Sequence, residues 1–274
     1  MTRVAVTAGT GKTGRAVCAA LDAEGVTPVP LGRAAWANLP AALAGCSALV
    51  AIAPNLHPDE AGFVAELVAA AHAAGVPRLV YHSVVAPYAP ALPHHLGKAV
   101  AEDLVRRSGL DWTVLQPCAY LQNLLPGLRA DPPEIAVAYS ADARFGFVDL
   151  DDVARAHAVV LTETGSDHVG ATYELGGPEP ASVRDVALVA ASVLEREVTV
   201  RQLSLDEWYA GPGAALPERE RDWLRAMFAF YDAFGLPAGG RVLAALLGRR
   251  STGAAAVVAR ELGISQAGVP PGSR

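Results

Sequence analysis

The amino-acid sequence predicts an α/β fold: a doubly wound parallel sheet with a smaller, mostly helical C-terminal region. Three observations carry this expectation. A glycine-rich turn, Gly9-Thr10-Gly11-Lys12-Thr13-Gly14, lies between a short apolar run, Val4-Ala5-Val6, and a stretch of helical spacing. Apolar runs of strand length then alternate with helical patterns through the first half of the chain, as βαβ units require. Of the 274 residues, 52% are hydrophobic and only 18% charged, which suits a large buried core and argues against disorder.

Taken in order, Arg3–Thr7 is the first strand and Gly11–Glu24 the first helix. Thr27–Leu31 reads as the second strand in spite of its two prolines. Ala48–Ala53, Arg78–Ser83 and Trp112–Gln116 are apolar runs that continue the set. Asp59–Ala74 and His94–Ser108 are the helices between them, with Gly75 and Gly109 standing where C-terminal caps belong. Right-handed crossovers then place all strand C-termini on one edge, where such sheets bind ligands. Phe145–Asp149 reads as a strand end entering the helix Asp151–Leu161, with Asp149 or Asp151 as its N-cap. Ala171–Leu175 is a further strand, stopped by Gly176-Gly177-Pro178. Ser182–Glu195 is a helix capped by Ser182, Val198–Leu203 a strand, and Ser204–Tyr209, Pro217–Phe234 and Gly253–Leu262 are helical. The expected domains are a nucleotide-binding domain over 1–177, a substrate or lid region over 178–262 and a disordered Gly/Pro/Ser-rich tail over 263–274.

Composition narrows the function. A net charge of −6 gives no basic surface for nucleic acid. Cys18, Cys46 and Cys118 are odd in number and widely spaced, so neither a disulfide framework nor a metal site is expected. The first strand begins within three residues of Met1, which leaves no room for a secretory leader, and no apolar stretch is long enough to span a bilayer. A cytoplasmic protein is expected, monomer or homodimer, with a small-molecule substrate and neither nucleic acid nor membrane as partner.

The glycine turn has a mechanical meaning at its position. Its first glycine allows a tight turn, its second lets the backbone approach a pyrophosphate, and its third lets helix and strand pack closely, with phosphate at the helix N-terminus. An acidic residue ending the second strand would bind the ribose of NAD; here stand Leu31-Gly32-Arg33. Arg33 offers a guanidinium fork to a 2′-phosphate and Lys12 a second positive charge, so NADP(H) is the expected cofactor.

Several segments, in order, resemble the NmrA-like family of atypical short-chain dehydrogenases/reductases. Val6-Thr7-Ala8-Gly9-Thr10-Gly11-Lys12-Thr13-Gly14 is similar to the family's V-T-G-x-T-G-x-x-G opening. Leu31-Gly32-Arg33, the passage Gly75 to Ser83, and the helix segment Gly97-Lys98-Ala99-Val100-Ala101-Glu102 match in turn. Ser108 to Pro117 resembles the strand-five signature S-G-L-x-x-T-x-L-R-P, and Phe147 to Ala154 and Tyr173 to Gly177 match later elements. The resemblance spans most of residues 3 to about 260 and implies a Rossmann, NAD(P)-binding fold. Three departures stand out: Ala8 replaces the family's first glycine, Gln116 its strand-five arginine, and Cys118 the glycine after the proline. A methyl at position 8 is expected to tighten the turn or shift the pyrophosphate.

The resemblance implies a Ser, a Tyr and a Lys four residues after the Tyr. Here Ser83 and Lys98 occupy their places, but His94 stands where the tyrosine would. Positions i and i+4 share a helix face, so a Lys98 ammonium beside His94 favours the neutral imidazole. Tyr88 and Tyr81 are alternative proton donors. Nucleotide contacts are expected from Thr7, Gly9, Thr10, Gly11, Lys12, Thr13, Gly14 and Arg33, from Ala53, Pro54 and Asn55, and from Ser83, Lys98, Pro117 and Tyr120. His57, Cys118, Tyr120 and Asn123 are expected at the substrate pocket, Cys118 as a packing residue rather than a nucleophile. The leading reading is an NADPH-dependent reductase that delivers hydride to C=O, C=N or activated C=C of a small, fairly apolar molecule. Two alternatives stay open: a non-catalytic NADP(H) sensor acting through a protein partner, and a nicotinamide-bound cyclase or isomerase.

Overall fold

The structure is a computed structural model and describes residues 2–163 and 166–264. In chain order it holds β1 (Arg3–Thr7), α1 (Lys12–Ala23), β2 (Thr27–Leu31), α2 (Leu39–Leu43), β3 (Ala48–Ala51), α3 (Glu60–Ala74), β4 (Arg78–His82), α4 (Pro93–Arg106) and β5 (Asp111–Pro117). There follow β6 (Glu134–Val137), α5 (Leu150–Thr162), β7 (Ala171–Leu175), α6 (Val183–Leu194), β8 (Thr199–Gln202), α7 (Leu205–Ala210), α8 (Glu218–Phe234), α9 (Arg241–Leu247) and α10 (Ala254–Leu262). The chain divides into two compact units. The first holds the residues up to Pro117 with Leu150–Leu175 and Val242–Arg249; the second holds Cys118–Asp149, Gly176–Arg241 and the residues from Arg250 onward. The sequence reading places its boundaries at 177 and 262; in the structure, the chain passes between the two units repeatedly.

The first unit is built on a six-stranded parallel sheet of order β2-β1-β3-β4-β5-β7. The reversal between β1 and β3 is the switch point at which open parallel sheets bind nucleotides. β2 lies at the sheet edge, and this explains how it tolerates Pro28 and Pro30: an edge strand has only one neighbour to bond, so a missing N–H on the outer side costs nothing. β3 is buried along its whole length, which is why it reads as an unbroken apolar run. α1 packs on α5 and α3 on α4. The α3/α4 side carries a core that includes Leu49, Phe63, Leu67, Leu79, Ala101, Val105 and Val114. Asp59 caps α3 by accepting from the Gly62 N–H at 2.8 Å, and Gly75 closes it in the left-handed region at φ 69°.

The second unit contains the two-stranded parallel sheet of β6 and β8. The sequence reading found β8 but passed over β6, which is only four residues long. Over the expected strand Phe145–Asp149 there are instead isolated bridges, Tyr120 with Val148 and Phe145 with Ala181 and Leu236. α6 and α7 each begin with a capping box, Ser182 with Asp185 and Ser204 with Glu207. Tyr139, Phe145, Phe147 and Tyr231 form one aromatic cluster in this unit, with Phe145 and Phe147 stacked at 4.8 Å. The tail expected to be disordered lies, from 265 on, outside the described residues.

Candidate cofactor and active site

The glycine turn joins β1 to α1, as its sequence position requires. Gly9 donates its N–H to the Leu31 carbonyl, and a Cβ there would sit 2.6 Å from Pro30. A Cβ on Gly14 would collide with the Ala8 carbonyl, so the first turn of α1 lies directly under the loop. Gly11 occupies the N-cap of α1 with no side chain closing it, leaving the helix N-terminus open to an anion. Ala8 behaves differently from expectation. Its φ is +48°, the left-handed region where glycine is favoured, so the methyl costs backbone strain rather than simply reshaping the turn.

Thr10, Gly11 and Lys12 are exposed around this cradle, and Thr13 is half-buried. Thr7 is fully buried; its Oγ1 donates to the Ile52 carbonyl at 2.8 Å and accepts from the Ile52 N–H at 2.7 Å, tying β1 to the end of β3. Arg33 opens a short 3₁₀ turn after Gly32, exposed and with no carboxylate in the Arg33–Ala37 turn. A glycine cradle that side chains would fill, an open helix N-terminus and an exposed arginine in place of an acid together fit a phosphorylated dinucleotide. After β3, Ala53 is half-buried and Pro54 and Asn55 are exposed. His57 is drawn into local structure: its Nδ1 accepts from the Asp59 N–H at 3.2 Å, and its ring packs on Phe63 at 5.3 Å.

Helix α4 carries the densest chemistry. His94, Lys98, Glu102 and Arg106 recur every four residues, so they lie along one face of the helix. Lys98 Nζ donates to Glu60 Oε1 at 2.6 Å, and Tyr81 Oη donates to the same oxygen at 2.7 Å. Burial, then Glu60, hold the Tyr81 phenol well above its usual value, so this tyrosine keeps its proton and spends it on Glu60. One turn along, Glu102 is fully buried and saturated. Its Oε1 accepts from Ser83 Oγ at 2.5 Å and Gln116 Nε2 at 2.7 Å; its Oε2 accepts from Arg106 Nη2 at 2.9 Å and Tyr88 Oη at 3.4 Å. Arg106 also donates to Tyr88 Oη at 3.0 Å. Gln116, which stands where the family resemblance places an arginine, is thus an amide donor to a carboxylate whose positive partner comes from α4 instead.

His94 and His95 are both buried in the first turn of α4. Burial, then the Lys98 ammonium and His95, push the His94 imidazole down to about 3, and burial pushes His95 down to about 4 against the Ala86 carbonyl it meets at 3.3 Å. His94 is therefore neutral at neutral pH, as expected, though burial outranks the lysine as the cause. A second histidine pair lies across β4: His82 Nδ1 meets His157 Nε2 at 3.2 Å, and His157 Nδ1 meets the Val153 carbonyl at 2.9 Å. A carbonyl only accepts, so His157 carries its proton on Nδ1 and His82 donates to its Nε2.

Glu60 and Glu102 are the residues that sequence reasoning missed. The signal for Glu102 was present in the four-residue spacing from His94 to Arg106; Glu60, at the first position of another helix, had none. Pro117, the end of β5, is the last residue of the first unit in that stretch. Cys118, Tyr120 and Asn123 belong to the second unit. There Cys118 is buried and donates to the Leu236 carbonyl at 3.2 Å, a packing role; Tyr120 is half-buried and Asn123 exposed. In the same unit Asp149 is neither exposed nor free: Arg260 grips it with both arms at 2.7 and 2.9 Å, and Gln122 donates at 2.6 Å. Among the described residues, no group of three His, Cys, Asp or Glu is placed to hold a metal ion, and no helix is long and apolar enough to cross a membrane.

Residues 24–164 match the NAD(P)H-binding family, more than half of the chain, and the protein belongs to that family. An NAD(P)H azoreductase of Xenophilus azovorans is 29% identical over 197 residues, 70% of this chain and 67% of that one. The fold is shared with an NADPH-dependent quinone oxidoreductase of Escherichia coli crystallised with NADPH, at TM-score 0.79 and 24% identity over 94% of this chain and 99% of that one. It is shared also with NmrA, a negative transcriptional regulator, at TM-score 0.68 and 20% identity over 86% of this chain and 85% of that one. The family match bears out the expected NAD(P) binding, and the fold shared with these proteins, NmrA among them, bears out the Rossmann architecture.

Proposed function

We propose that this NAD(P)H-binding protein is an NADPH-dependent reductase of a small, fairly apolar acceptor. The observation that carries the reading is the face of α4, where a Lys98 ammonium anchored by Glu60 stands one turn from the neutral His94. Bound NADPH supplies hydride. The chain's own residues then divide the remaining tasks. The glycine cradle and the N-terminus of α1 take the pyrophosphate, and Arg33 with Lys12 takes the 2′-phosphate. Lys98 holds the nicotinamide ribose. His94 offers an imidazole N–H to the acceptor's oxygen or nitrogen as charge develops there; being neutral it orients and stabilises, and the proton itself comes from solvent. Azo and quinone acceptors of the relatives are both electron-poor π-systems that need little more than this, which supports an acceptor of that kind.

Purified protein with NADPH and a panel of quinones, azo compounds and enones should lose the reduced-nicotinamide absorbance. Arg33→Ala should weaken NADPH by about tenfold, the worth of one charge-assisted contact, and leave NADH nearly unchanged. Tight NADPH binding with no turnover on any acceptor would instead favour the regulatory reading, for which the shared fold with NmrA is the supporting observation.

A further inference from the structure

We propose that Glu60 is a positioning residue: through Oε1 it aims the Lys98 ammonium, with Tyr81 fixing that oxygen by donating to it as well. The assignment rests on the proposed binding of NADPH and deepens it. Glu60 is 3% exposed and opens α3, where the positive end of the helix favours a carboxylate. It joins three elements: its own helix, β4 through Tyr81 and α4 through Lys98. Both donors converge on Oε1, while Oε2 is buried with no hydrogen-bond partner among the described residues. That asymmetry is informative. A buried ion pair kept only for stability repays its desolvation when every lone pair is satisfied, as Glu102 shows one turn away. Glu60 is not arranged that way; what its geometry does achieve is one direction for Nζ.

A lysine is a point charge on a flexible four-carbon stem, with three donors that rotate freely. Ordering such a side chain when ligand binds costs affinity, and a fixed counter-charge removes that cost beforehand. Glu60 occupies one of the three donors and sets the directions of the other two. Tyr81 Oη, carried on a fully buried ring, donates to the same oxygen and holds it in place.

The test separates the two ends of the nucleotide. Glu60→Gln should weaken NADPH about tenfold while leaving 2′,5′-ADP, which lacks the nicotinamide ribose, within about twofold of wild type. Glu60→Asp, which keeps the charge, should recover part of the loss. Equal weakening of both ligands would make Glu60 merely structural and overturn the assignment, as would an unchanged NADPH affinity. Tighter NADPH binding would show that Glu60 competes for Lys98, and would overturn it too. Should Glu60→Gln fail to fold, Tyr81→Phe removes only one hydroxyl and should weaken NADPH several-fold with 2′,5′-ADP unchanged; no difference between the ligands would then decide against the proposal. If the wild type binds neither ligand, the nucleotide reading itself falls; if it binds both and the variants behave alike, only the role of Glu60 does.

Discussion

Single side chains decide how well the nucleotide loop is built. Ala8 sits at φ +48°, where an L-residue is strained by about 1–2 kcal/mol and glycine is not. Restoring glycine relaxes the folded state but also loosens the unfolded chain by about 0.5–1 kcal/mol. Ala8→Gly is therefore expected to gain about 0.5 kcal/mol net, seen as a rise of about 1–2 °C in melting temperature. A fall would mean that the methyl makes a contact worth more than the strain. The glycines that follow it, Gly9, Gly11 and Gly14, were readable in sequence because their roles are local. The strain at position 8 was not, since a φ value belongs to the chain's path rather than to its composition.

At the scale of elements, α4 is the organising piece. Its residues at four-residue spacing meet β4, β5 and α3, and they assign Ser83 a different partner from the one its sequence position suggested. The Ser83 hydroxyl donates to a carboxylate that already holds Arg106 and Gln116. Ser83→Ala should therefore cost about 1–3 kcal/mol of stability, the price of one buried donor lost from a charged acceptor, measured by urea or thermal unfolding. Turnover of the surviving folded enzyme should change little. A large loss of kcat with no loss of stability would return Ser83 to the reacting atoms. Tyr88, one of the two alternative proton donors expected from sequence, is 59% exposed, and its hydroxyl accepts from Arg106 and donates to Glu102.

For the first unit as a whole, the buried histidines set a pH dependence. His94 is pushed down to about 3, His95 and His157 to about 4, and His82 well below the usual 6.5, in each case by burial first. Depressed values in the folded state mean that the unfolded chain binds more protons between about pH 6.5 and about 4. Stability is then full above about pH 6.5 and falls as pH drops through that window, by proton uptake approaching about four per molecule. Melting temperatures at pH 7, 6 and 5 would check this; a flat profile down to pH 5, still above the range of ordinary carboxylates, would refute it.

The sequence by itself determined the parallel sheet, the nucleotide turn and the missing acid after β2, because each depends on neighbours within a few residues; the neutral His94 rests on Lys98 only second, after burial that the fold decides. Strand-length apolar runs, a glycine pattern and an i, i+4 pair are local codes, and they survive without knowledge of the fold. Only the tertiary structure decided what Lys98, Ser83 and Gln116 touch. Glu60 lies 38 residues from Lys98, and Glu102 lies 19 residues from Ser83. Such partners are chosen by which helix face the sheet presents to which strand end. A buried carboxylate must find its donors wherever packing brings them, and no spacing along the chain records that choice.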